Sequence, residues 1–536
     1  MTRSGPGPEG RAHVGRLELL LVLTLLAAMV GQLAFALVRD GLTYDELVYI
    51  ACGYKHLVEG DFRLSRNHPP LAKLLIAAPL VPLGLSIPDL RPDDHLWSWS
   101  SRFVHEANDA NRIIWRARIP NAVLTVALAL LVWAWSRTSH GPAAGACALF
   151  LTAFHPSLLA HGHLATTDMP GALTVVVASW AFWHWLRRPS RSLALGVGLA
   201  TGIAVATRFT GWLLLPIFFL AAVWDWSHRR SLPALRQVPV LAAAMLIAVP
   251  AVIWASYEGR YAPWFPQAYL RELMNVVSLQ KGEHAPTYLL GRWSENGWPQ
   301  YYLVAFAVKN TPGFLLACLG AAAAAIWRPA RGQPVLIHWV VPAVVIFLAA
   351  SALHFQIGER YVLTVYPFLI LLISSAVPQI VRTKVGLAAI LIAGLLHAAP
   401  TIRAAPHGYI PYFNALAGGE AGGHRFFLDS SLDWGQDLPR LASWMNGHGV
   451  DKIQLAYFGR DDPGRFHIRH RDLPGGHFGQ EGPPQNPFRG VVVISPGILF
   501  SPEPADEHYA QLARRPPDDR AGVFFVYRLG EDVPSR

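Results

Sequence analysis

LELLLVLTLLAAMVGQLAFALV, from Leu17 to Val38, is followed within five residues by Thr43-Tyr44-Asp45-Glu46, and this junction of an apolar run with an acidic pair decides how the chain is read. A run of 22 residues is long enough to cross a hydrocarbon core, which takes about 17 to 25. It follows Arg11 and Arg16 as a signal peptide would, and Ala34-Phe35-Ala36 offers a small-x-small site. It nevertheless exceeds the usual apolar core of a signal, about 7 to 15 residues, and is read as a retained first helix. Carboxylates at the mouth of such a helix are costly unless they face water, a partner or a substrate. Asp45 and Glu46 are therefore functional candidates.

The rest of the 536 residues fits the same frame. The chain is 52% hydrophobic and only 15% charged, with 19 Trp, a composition that belongs to a polytopic membrane protein. The net charge of +10 comes from short basic clusters between apolar runs, so membrane topology accounts for it and nucleic acid is excluded as a partner. Three cysteines far apart imply no disulfide framework. Spanning runs fall at about 17–38, 117–136, 142–160, 170–186, 193–207, 211–226, 237–256, 301–326, 334–353, 361–378 and 385–401, eleven in all. With the N-terminus inside, Arg137, Arg187, Arg188, Arg191, Arg229, Arg230, Arg236, Arg328, Arg331, Arg382 and Lys384 collect on one face, as cytoplasmic loops should. The long connections 39–116 and 257–300 and the C-terminal tail then lie outside. Leu71 to Ile87 carries Pro79 and Pro82 and breaks this parity if it crosses, so it is read as interfacial or re-entrant.

After about residue 403 the pattern changes. Ile453 to Phe458, Val491 to Ile494 and Val523 to Tyr527 have strand composition, and Asp437 to Asn446 has helical spacing of Leu438, Leu441 and Trp444. The expected fold is thus an all-α polytopic membrane module over 17–403, with a disordered cytoplasmic 1–16 and a small extracytoplasmic α/β domain over 404–536. The expected location is the bacterial plasma membrane, with the C-terminal domain outside.

Adjacent helical residues point about 100° apart, so Asp45 and Glu46 cannot both aim at one substrate atom; one acts and the other supports it. Acids in a first turn also simply complement the helix dipole. Asp168, in His161-Gly162-His163-Leu164-Ala165-Thr166-Thr167-Asp168-Met169-Pro170, lies on the same membrane face, and two converging carboxylates permit proton abstraction by one and orientation by the other. It also suits an ordinary helix start. His161 and His163 are weak metal candidates, and a divalent cation is the one cofactor left open. Asn67-His68-Pro69-Pro70-Leu71-Ala72-Lys73 presents His68 and Lys73 near the headgroups, although a lone interfacial Lys commonly just snorkels. Arg208 and Arg360 are outer-face cations, and an anionic ligand is one reason for such a cation; pairing of Arg360 with Glu359, or a headgroup contact for Arg208, is the other.

Together these residues resemble the GT-C glycosyltransferases of family 39, the protein O-mannosyltransferase and aminoarabinose-transferase type. The resemblance rests on Asp45-Glu46 after the first helix, His68-Pro69-Pro70-Leu71-Ala72-Lys73 in the same loop, Asp168 at the fourth helix, and Arg360-Tyr361 followed by Tyr366-Pro367-Phe368-Leu369. Tyr412-Phe413-Asn414 and Asp429-Ser430-Ser431-Leu432-Asp433-Trp434-Gly435-Gln436-Asp437-Leu438 add to it. It implies a polyprenyl-phosphate sugar donor, mannose among the candidates, and an unidentified acceptor that is a protein, lipid or glycan. It also implies Asp45 as base, Asp168 as a shaping residue, and Lys73, Arg208 and Arg360 at the phosphate with His68 nearby. The chain has no Walker or strand-linked GxGxxG loop for a nucleotide. The competing readings are a lipid-diphosphate-dependent oligosaccharide ligase or polymerase and, from another class, a transporter. The latter predicts an internal repeat and broken polar helices at the midplane.

Overall fold

The computed structural model describes residues 15–64, 67–229, 232–259, 267–279, 286–327, 336–476, 488–502 and 507–530. The disordered reading of the N-terminus, apart from its last two residues, and the basic positions Arg230, Arg328 and Arg331 lie outside them.

All eleven apolar runs form helix. Five helices are long and apolar enough to cross a membrane, Arg16–Arg39, Ala110–His140, Phe209–His228, Arg236–Ser256 and Lys384–Ala404. Two bent pairs raise the number to seven among the described residues. The remaining runs form the helices Asp168–Arg187, Arg191–Thr207, Ile337–Ser351 and Val365–Ile380. The outer helices carry their apolar side chains outward. Leu17, Leu20 and Leu23 of the first helix and Leu391 and Leu395 of the last are exposed, while Leu25, Met29 and Leu33 turn inward. Such faces are stable only against lipid or another apolar surface.

Two expectations of a straight span are corrected. The run 301–326 is two helices, Tyr301–Lys309 and one starting at Pro312, bent by 115°. The run 142–160 breaks by 60° between Pro142–Ala153 and Pro156–Gly162. Each break precedes a proline, which opens a new helix at its first turn but disfavours helical backbone in the residue before it.

The helix predicted over Asp437 to Asn446 runs Leu438–His448. The predicted strands form Ile453–Ala456, Gly490–Ile494 and Phe524–Leu529, three members of a five-stranded mixed sheet. In order across the sheet the strands are His470–Asp472, Ile453–Ala456, Gly490–Ile494, Phe524–Leu529 and Asp519–Ala521. The first three are parallel and the last two antiparallel to their neighbours. Segment 429–437 joins this sheet to the helices. Its backbone pairs with the first loop, Tyr44 N–H donating to Trp434 O at 2.8 Å and Gly41 N–H to Gln436 O at 2.9 Å.

Candidate active site

The acidic pair opens the helix Tyr44–Glu59. Its two members meet opposite fates. Glu46 folds back as the third residue of a capping box, accepting from Thr43 N–H at 2.9 Å and Thr43 Oγ1 at 3.0 Å. Arg118 grips both its oxygens, through Nε at 2.8 Å and Nη2 at 2.7 Å, and Ala165 N–H donates at 2.7 Å. Arg118 gives its remaining donors to the carbonyls of Leu37, Asp40 and Gly41. Burial penalises the charge of Glu46, but Arg118 and these hydrogen bonds outweigh it and hold the carboxyl below its ordinary value. Glu46, a catalytic candidate from sequence, is a fully occupied latch that fixes the direction of Asp45.

Asp45 points elsewhere. Its Oδ2 accepts from Arg360 Nη1 at 2.5 Å. The same Arg360 atom lies 4.0 Å from Asp168 Oδ2, and Asp168 Oδ1 is bonded to Arg208 Nη1. Four candidates spread over more than three hundred residues of sequence thus form one chain of charges, Asp45, Arg360, Asp168 and Arg208.

Local sequence explains each position. Asp168 starts the helix Asp168–Arg187, where a carboxylate suits the helix dipole. Arg208 follows the end of Arg191–Thr207 in extended backbone and lays its stem over Gly171, where an added Cβ would stand 3.1 Å from Arg208 Cδ. Arg360 sits in a single 3-10 turn, Glu359–Val362, after Gly358. Gly358 has φ +131°, and any side chain there would overlap Ser430 Oγ. The Arg360 guanidinium is capped by Trp434 at 4.5 Å and Tyr361 at 5.8 Å.

The cluster is not saturated. Asp168 Oδ2 and Arg360 Nε are buried without hydrogen-bond partners. Side-chain exposure is 18% for Asp45 against 1% for Asp168, so Asp45 is the carboxylate that an incoming group can reach. Asp429 is close enough to Arg360 and Asp45 to feel both charges, and burial pushes its carboxyl up to about 6.

The other candidates are placed differently. His68 lies edge-on to Tyr49 at 5.8 Å. Burial, followed by the cations of Arg208 and Lys73, pushes its imidazole well below the ordinary value, so it is neutral. Lys73 is buried and donates to the carbonyl of His68 at 2.8 Å, which makes it a tether for His68. His163 has both nitrogens occupied, Nδ1 2.8 Å from Leu159 O and Nε2 2.9 Å from Asp40 Oδ2. Asp40 also takes His407 Nδ1 at 2.7 Å. His161 packs edge-on to Trp434 at 6.0 Å. Among the described residues no group of three or more His, Cys, Asp or Glu side chains could hold a metal ion.

Arg118 was missed from sequence, and Trp434 entered only as part of the Asp429 to Leu438 stretch, with no role of its own. An Arg within an apolar helix and a Thr-x-x-Glu box were the signals for the Glu46 latch. Nothing local marks Trp434 as a cap on Arg360.

Residues 97–254 match the family described as dolichyl-phosphate-mannose-protein mannosyltransferase. The match spans 158 of the 536 residues. The matched part of the chain includes Asp168 and Arg208, while Asp45 and Arg360 lie outside it. No curated protein matches the chain. Among solved structures it is similar to ArnT from Cupriavidus metallidurans bound to undecaprenyl phosphate, with 13% identity, TM-score 0.49 and coverage of 95% of this chain and 97% of that one. It is also similar to the S. cerevisiae Pmt1-Pmt2 complex bound to the sugar donor, with 17% identity, TM-score 0.36 and coverage of 52% and 39%. A third is the Archaeoglobus fulgidus oligosaccharyltransferase in the apo form, with 13% identity, TM-score 0.47 and coverage of 73% and 56%.

Proposed function

We propose that the enzyme moves a sugar from a polyprenyl-phosphate donor to an acceptor hydroxyl at the extracytoplasmic face of the plasma membrane, by a single inverting displacement with Asp45 as base. The observation that carries this reading is the unsaturated chain of Asp45, Arg360, Asp168 and Arg208. The description of the matching family makes mannose the first sugar to test. The basic loops, gathered on the opposite side of the sequence-derived topology, support the outward orientation.

A sugar on a phosphodiester already has a good leaving group. The protein must align the acceptor, take its proton late, and stabilise the charge that grows on the departing phosphate. The acceptor oxygen attacks the anomeric carbon from the face opposite the phosphate. As that bond forms, the bond from carbon to phosphate oxygen breaks, and the hydroxyl proton passes to Asp45. Arg360 and Arg208 supply donors for the departing phosphate, while Asp168 holds the two guanidinium groups apart and offers Oδ2 to a sugar hydroxyl. Each arginine has a carboxylate partner at rest, so neither carries an uncompensated buried charge before the donor arrives.

Incubation of the purified protein with polyprenyl-phosphate-linked mannose, glucose and aminoarabinose tests the reading. One of these donors should be consumed and its sugar should appear with inverted anomeric configuration. A retained anomer in the product would refute the single displacement, and protection or turnover by none of the donors would remove the donor class.

A further inference from the structure

We propose that Arg460, carried by the C-terminal sheet, binds an oxyanion on the acceptor and so places the acceptor hydroxyl at Asp45; the acceptor is then a saccharide bearing a phosphate or a carboxylate. This rests on the transferase reading above. The turn after strand Ile453–Ala456 enters the first loop, where Asp461 Oδ2 accepts Leu42 N–H at 2.8 Å and Arg460 O lies 3.2 Å from His105 Nε2. The Arg460 guanidinium then lies over two rings of that loop, Tyr44 at 4.8 Å and Trp97 at 5.0 Å. Its Nη2 donates to Tyr44 Oη at 2.8 Å. Tyr44 is the residue before Asp45.

Two facts separate Arg460 from the other arginines of the region, and a third, an unused donor, it shares with Arg360. Arg118, Arg208 and Arg360 each contact a carboxylate, whereas among the described residues Arg460 has none within 4.0 Å. Its sequence neighbours are engaged elsewhere, Asp461 by Leu42 and Arg465 and Asp462 by Gly464 N–H. Its Nε is buried and has no partner. A partly buried guanidinium with no carboxylate partner among the described residues and a buried donor unused suits an oxyanion, and a planar fork fits phosphate and carboxylate alike. Tyr44, Trp97 and Phe458, all partly exposed and packed at 4.5 and 5.4 Å, add the apolar ring edges that a pyranose needs. The donor phosphate is served by Arg208 and Arg360, which leaves Arg460 for the second substrate.

The test uses the full-length protein in lipid nanodiscs with three probes: glucose 6-phosphate, glucuronate and methyl glucoside. Binding is read by calorimetry and donor-site occupancy by the thermal shift from undecaprenyl phosphate. Wild type should bind at least one anionic sugar about ten- to hundredfold more tightly than methyl glucoside, and the tighter of the two identifies the oxyanion as phosphate or carboxylate. Arg460→Gln should lose that preference while keeping the undecaprenyl phosphate shift, and Arg460→Lys should restore part of it. Equal binding of charged and neutral sugars, or an unchanged preference in Arg460→Gln, would overturn the proposal. So would loss of the undecaprenyl phosphate shift in Arg460→Gln, which would move the residue to the donor site. A wild type that gives no shift with undecaprenyl phosphate but keeps the Arg460-dependent preference would instead count against the donor reading alone.

Discussion

Two arginine–carboxylate clusters start from neighbouring residues, and they differ in what they leave over. At Glu46 and Arg118, both carboxylate oxygens and every donor group of the guanidinium are taken up by the pair itself, Thr43, Ala165 and three carbonyls. At Asp45, Arg360, Asp168 and Arg208, a buried acceptor and a buried donor stay unpartnered, and one carboxylate reaches water. Ion pairs alone therefore do not mark a site. Unused hydrogen-bonding capacity in a reachable place does, because a structural pair gains stability from saturation whereas a binding site must keep donors for its ligand.

The comparison can be broken experimentally. Arg118→Met should be the most damaging change to stability, costing about 3–5 kcal/mol because it leaves Glu46 buried and unpaired; thermal unfolding in detergent measures this. Loss of less than 1 kcal/mol would mean that the latch is not structural. Arg360→Gln should behave oppositely, lowering the transfer rate by about 10²–10³ while melting close to wild type, as expected for one lost donor to a developing anion. A melting point that fell as far as that of Arg118→Met would erase the distinction between the clusters.

The smallest effect concerns the segment that joins the sheet to both clusters. Burial pushes the carboxyls of Asp429 and Asp433 up to about 6 from an unfolded value near 3.8. The folded state then binds more protons than the unfolded one between these values, so stability falls as pH rises through about 4 to 6. Asp433→Asn, a permanent mimic of the protonated form, should gain about 1–3 kcal/mol at pH 7 and flatten the dependence of melting temperature on pH between about 4 and 6. An unchanged slope would remove Asp433 from this account.

Much of the architecture was legible because lipid imposes strong rules. Runs of sufficient length became helices, and the strands expected at Ile453, Val491 and Val523 formed with small shifts of boundary. The two broken spans at Pro156 and Pro312 were legible too, had proline been weighted above hydropathy. The candidate site was half legible. Asp45, Asp168, Arg208 and Arg360 were found because charge is expensive beside lipid, so each required a reason. Glu46 could not be separated from Asp45 by sequence, since the outcome depends on Arg118, seventy-two positions away. Lys73 satisfied the same motif as a phosphate ligand would, yet its ammonium holds the His68 carbonyl, a choice made by the turn at Pro69-Pro70. The contribution of Trp434 and Arg460 depends on how the C-terminal sheet docks on the first loop, and no local pattern encodes that contact.

The most direct test compares wild type with Asp45→Asn in transfer from a radiolabelled polyprenyl-phosphate sugar, with the undecaprenyl phosphate thermal shift as a control for an intact donor site. Removal of a general base predicts a fall of about 10²–10⁴ in the transfer rate with the shift preserved. Transfer at the wild-type rate by Asp45→Asn would contradict the assignment of the base and, with it, the reading of the unsaturated cluster as the reaction centre.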